Sequence, residues 1–142
     1  MAAEVYMRRN SSIRVVIAIL TGSVFTLFAR DEVRSQAGDL VLSEIMASNT
    51  SILQDEDGDY SDWIEVYNAG VTAVNLDGWY LTDDPLDLTK WRFPAVSLAA
   101  DGFLLLFASG KERAVGGAEL HASFKLASEG GYLALVRPNG TV

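Results

Sequence analysis

The chain has 142 residues, 49% hydrophobic and 21% charged, with no Cys, one His and a formal net charge of −8. That is room for about one domain, and the lack of Cys removes disulfide frameworks, thiolate metal sites, Cys nucleophiles and CxxC redox chemistry. His121 alone cannot build a multi-His metal centre, and the acidic balance works against a sequence-independent grip on polyphosphate, so nucleic acid is not an expected partner.

Residues Met7 to Ala37 read as an export signal. Arg8, Arg9 and Arg14 precede an apolar run from Val15 to Ala29, and Ser35-Gln36-Ala37 supplies a small-residue cleavage site. The run is interrupted by Thr21, Gly22, Ser23 and Thr26 and falls short of the roughly 20 residues of a spanning helix. Residues 1–37 are therefore expected to be a signal peptide cleaved after Ala37, with Met7 as an alternative start. An uncleaved N-terminal segment is the single route by which the chain would touch a membrane. Residues 38–142, expected to be secreted or held at the cell surface, carry six basic against sixteen acidic residues, a net charge of −10. Without disulfides, such a domain must draw its stability from its core, with bound ions as an optional further source.

From Gly38 onward the pattern is short β-type runs separated by turn residues, without sustained 3.6-residue periodicity. Leu40–Met46 is the first strand, followed by a polar loop from Ala47 to Ser61. Asp62–Asn68 alternates strictly: Ile64 and Val66 face one way, Trp63, Glu65 and Tyr67 the other, with Trp63 expected to be half-exposed. Asn68-Ala69-Gly70 turns the chain into Ala73–Leu76, and Asp77-Gly78 leads into Trp79–Thr82. Lys90–Pro94 is a short extended piece closed by proline, and Leu98–Gly102 a turn. Phe103–Ala108 is expected to be a fully buried strand, and Leu120–Leu126 and Tyr132–Val136 the last two. This spacing predicts an all-β two-sheet sandwich. Arg137–Val142 reads as a hairpin turn with Asn139-Gly140 at its tip, so the domain is expected to be truncated before its last strand, leaving an unpaired edge.

The runs LSEIMASN, DEDGDYSDWIEVYNAG, VNLDGWYLTDD, KWRFP and LHASFKLASEGGYLAL together resemble the lamin-tail domain (LTD) family in its bacterial, exported form, over about residues 40 to 142. The resemblance implies an immunoglobulin-like β-sandwich and a non-catalytic interaction or adhesion module, since the family defines no catalytic residue set. The partners expected are a protein or a cell-surface carbohydrate, the latter because aromatic rings stack on sugar faces. The alternative reading is an N-terminal accessory domain of a larger secreted or cell-surface hydrolase.

The strongest candidate for chemistry is the loop Asp55-Glu56-Asp57-Gly58-Asp59. Alternating carboxylates around a glycine, with Asp62 just beyond, gather hard oxygen ligands of the kind Ca²⁺ takes in sets of about 6 to 8. Asp55, Asp57, Asp59 and Asp62 are thus the candidate calcium ligands, and Ca²⁺ the one candidate cofactor. The opposing reading is a solvated loop whose Asp side chains bond backbone N–H groups. Asp62 and Glu65, three apart on a strand, face opposite sides and cannot flank one glycosidic bond. His121 has no G-x-S-x-G elbow to serve. Trp63 and Tyr67 are the candidate contact residues for a glycan or protein, whereas Asn49, Asn68, Gly78 and Trp79 read as structural.

Overall fold

Strict alternation of β-branched and polar residues makes the central strand. In the computed structural model, which describes residues 40–142, β1 (Leu40–Met46), β2 (Asp62–Asn68) and β7 (Phe103–Ala108) form an antiparallel sheet in the order β1-β2-β7. β4 (Tyr80–Thr82) lies between β5 (Trp91–Arg92) and β8 (Ala134–Val136) in a second antiparallel sheet, and β3 (Val74–Asn75) pairs with β6 (Ser97–Leu98). The export segment expected over residues 1–37 lies outside the described residues.

One face of β2 and β7 supplies Ile64, Val66, Leu106 and Ala108 to the core, where they meet Leu76, Trp79, Leu81, Trp91, Phe93 and Leu98. The branched side chains on β2 are stiff at χ1 and suit a pleated, buried surface. Burial of each Ile, Leu or Val contributes about 1.5–3 kcal/mol, so this apolar cluster dominates the fold's stability. Asn68 closes one end of it. Its fully buried amide donates to the carbonyls of Thr72, Leu98 and Ala99 at 2.8, 3.0 and 3.0 Å and accepts the Gly70 N–H at 3.0 Å, tying β2 to the β3 and β6 connections. Gly78 sits at φ 81°, a conformation L side chains rarely adopt, in the turn closed by the Trp79 N–H on the Leu76 carbonyl.

Four expectations are corrected. Trp63 does face away from Ile64, but it is buried, not half-exposed. β7 is not buried on both sides: Phe103 and Leu105 face solvent, and only Leu106, Phe107 and Ala108 are enclosed. Leu120–Leu126 forms no continuous strand; it contributes single bridges, His121 with Phe107 and with Arg113, and Lys125 with Ser109. Leu98, read as the first residue of a turn, is instead the end of a strand begun by Ser97 and paired with β3. The last two arise because backbone pairing depends on a neighbour, and the first two because burial depends on what covers a face; alternation in one segment identifies neither.

Candidate functional site

The β1–β2 connection owes its shape to two short polar side chains. Asn49 donates its amide to the carbonyls of Leu53 and Ser61 at 2.6 and 2.9 Å and accepts the Ile52 N–H, while Asp62 accepts the Asn49 N–H at 2.9 Å. Asp62 therefore fastens the base of the loop and does not join the other acidic residues. Asp55 organises the tip. Its carboxylate accepts the Asp57 and Asp59 N–H groups, both at 3.1 Å, and the Ser61 hydroxyl at 2.8 Å. Gly58, at φ 81°, makes the reversal that lets its own N–H reach the Asp55 carbonyl.

Asp55, Asp57 and Asp59 converge on one point. The Lys111 ammonium stands there, 2.7, 2.7 and 2.9 Å from their carboxylates. Arg113 lies beside it, 2.8 Å from Glu56 and 2.9 Å from Asp57. Burial raises the Asp55 pKa, but the Lys111, Ser61, Asp59 and Asp57 hydrogen bonds together outweigh it and hold the group at about 2. Lys111 is subject to the mirror-image balance: burial lowers its pKa, and the three carboxylates raise it further than burial lowers it. Asp57 is lowered by Lys111 and then by Arg113. The cluster is thus an ionised clasp joining the β1–β2 loop to the segment after β7.

His121 lies under this clasp and is fully buried. Its ring stacks on Phe107, with centroids 5.3 Å apart, and its Nδ1 is 2.9 Å from the Ser109 hydroxyl, which also accepts the Lys111 N–H. Among the described residues Nε2 finds no hydrogen-bond partner, and it faces Glu56 and Glu119 at 3.8 and 3.9 Å.

The other side of the β1-β2-β7 sheet carries a second feature. Strand register sets Val41, Tyr67 and Phe103 in one row and Glu44, Glu65 and Leu105 in the next. Phe103 is 60% exposed and stacks on Tyr67, ring centroids 4.6 Å apart and planes at 25°. The Tyr67 hydroxyl donates to Asp101 at 3.0 Å, and Ser43, unpaired at a bulge in β1, donates to Glu65 at 2.7 Å. The third row, Met46, Trp63 and Phe107, runs toward the buried His121, which explains why Trp63 offers little contact surface.

Of the sequence candidates, Asp55, Asp57 and Asp59 come together; Asp62 and Trp63 stand apart from them and from the solvent-facing patch, and Tyr67 sits in that patch. Sequence reasoning missed Lys111, Arg113, Ser109, Glu119 and Phe103. Lys111 and Arg113 did carry a signal, since two cations at i and i+2 repeat the spacing of the acidic residues. Phe103 was hidden in a continuous apolar run, where period-2 exposure cannot be read.

No curated protein and no solved structure matches the chain. Residues 33–142 match the family described as Lamin Tail Domain. With that match over most of its length and an all-β architecture of antiparallel sheets, the chain belongs to the lamin tail domain family and has its immunoglobulin-like fold.

Proposed function

We propose that the chain is an exported, non-catalytic interaction module that contacts surface carbohydrate through the outward side of the β1-β2-β7 sheet. The observation that carries the reading is the exposed Phe103 ring, stacked on Tyr67 and bordered by Val41 and Leu105. A sugar ring has an apolar face and a rim of hydroxyls. An aromatic surface takes the face, and the neighbouring Glu65, Asp101 and Ser43 oxygens are placed to bond the rim. Export rests on the Arg-led apolar run of residues 7–37. In this reading the acidic loop is framework: Lys111 bridges its three Asp carboxylates from within, and a Ca²⁺ ion ordering the loop would take the place of that ammonium.

The test is a glycan array probed with the chain and with Phe103→Ser. The chain should bind one class of glycan and return it uncleaved. The variant should lose at least tenfold in affinity, about 1.4 kcal/mol, with stability changed by no more than about 0.5 kcal/mol because the site is exposed. Equal binding by both proteins, or cleavage of the bound glycan, would contradict the proposal.

A further inference from the structure

Charge on the outward side of the β1-β2-β7 sheet decides which sugars that face suits. Register sets Glu44 directly opposite Glu65, on the same side as the stacked Tyr67–Phe103 pair. Side chains so placed have Cβ atoms about 4.5–5.5 Å apart, and like charges there are destabilising. Asp101 stands at the other end of the aromatic row. Its N–H donates to the Asn68 carbonyl at 3.0 Å, and its carboxylate accepts the Tyr67 hydroxyl at 3.0 Å. Among the described residues no lysine or arginine pairs with any of these three carboxylates; Lys90, Arg92, Lys111 and Arg113 are committed to Asp83, Asp77 and the Asp55–Asp59 loop.

Given the carbohydrate reading of that face, on which this rests, we propose that its ligand is a cationic glycan, an oligosaccharide of amino sugars bearing free ammonium groups. A pyranose seated on the Phe103 ring lies one row from the Glu44–Glu65 pair, roughly 6.8 Å along the strand at about 3.4 Å per residue. A substituent of that ring, or the next sugar of the chain, reaches the pair. An ammonium there relieves the repulsion between the two glutamates and donates charge-assisted hydrogen bonds, about twice as strong as neutral ones. Ser43 holds one Glu65 oxygen at 2.7 Å, which fixes the carboxylate and leaves its other oxygen for the ligand. A neutral sugar leaves the repulsion in place, and an acidic sugar adds to it. The negative faces of the two rings draw a cation to the same place, and the net charge of −10 over residues 38–142 steers a polycation toward the domain. A lysine-rich peptide carries the same charge but no flat apolar ring face to lie on Phe103.

The test is calorimetric titration of the 142-residue chain, at a pH where the sugar amines are protonated, with the linear glucosamine hexamer and with its fully N-acetylated counterpart. The two share a backbone and differ in charge. The free-amine hexamer should bind at least tenfold more tightly, and added salt should weaken it alone. Glu44→Gln combined with Glu65→Gln should lower its affinity at least tenfold and leave the acetylated hexamer within about twofold. Glu112→Gln combined with Glu129→Gln removes the same charge outside β1, β2 and β7 and should leave both affinities unchanged. Phe103→Ser should weaken both hexamers. Equal affinity for the two hexamers, or a neutral glycan bound on the array with neither hexamer bound, would overturn the cationic preference and leave the carbohydrate reading standing. Free-amine binding that survives Phe103→Ser, hexalysine bound as tightly as the amino sugar, or no glycan bound at all would overturn both.

Discussion

Asp55 shows how one side chain can decide a loop. It accepts two backbone N–H groups, a hydroxyl and the Lys111 ammonium, so it fixes the turn and anchors the ion pair together. Its folded pKa of about 2 lies below the ordinary 3.8. A carboxylate depressed by folding contributes stability that is fully present above its unfolded pKa and lost as pH falls through the folded one. Urea unfolding should therefore show this contribution intact at pH 5 and declining between about pH 4 and 2. Asp55→Asn should lower stability at pH 5 by about 2 kcal/mol, the cost of a lost charged hydrogen-bond partner, and should flatten the decline between pH 4 and 2. An unchanged acid limb in the variant would show that another carboxylate governs it.

At the scale of elements, the β1–β2 loop and the segment after β7 are held together by charge. Lys111 fills the convergence point of Asp55, Asp57 and Asp59, so any Ca²⁺ must displace an ammonium held at 2.7–2.9 Å. The unfolding midpoint should be the same in Ca²⁺ and in chelator for the chain. It should become Ca²⁺-dependent in Lys111→Gln, where three carboxylates are left facing one another. Thermal unfolding of the two proteins in both buffers checks this, and a calcium-dependent midpoint with Lys111 in place would refute the account of the clasp. The acidic half of this site was legible because its residues are contiguous. The basic half was not, since Lys111 lies 56 residues from Asp55 and only the β2–β7 pairing brings them together. The strands divide in the same way. β1 and β2 were readable from alternation and turn residues, whereas the two-residue β6 and the single bridges of His121 and Lys125 exist because a partner backbone passes beside them. Phe103 and Leu105 look like core in sequence and become surface because, among the described residues, no layer covers one side of β7 along half its length.

For the molecule as a whole, the sandwich separates its duties. The inner face of the β1-β2-β7 sheet closes the core, the loop end is clasped by Lys111 and Arg113, and the opposite end of the outer face leaves an aromatic patch in solvent. The most direct test of the interaction reading is a ¹⁵N amide shift map of the chain titrated with the oligosaccharide that gives the strongest array signal. The account predicts perturbations clustered at Val41, Glu65, Tyr67, Phe103 and Leu105, with the Asp55–Asp59 loop unmoved. Perturbations centred on that loop, or none on the β1-β2-β7 face, would contradict it.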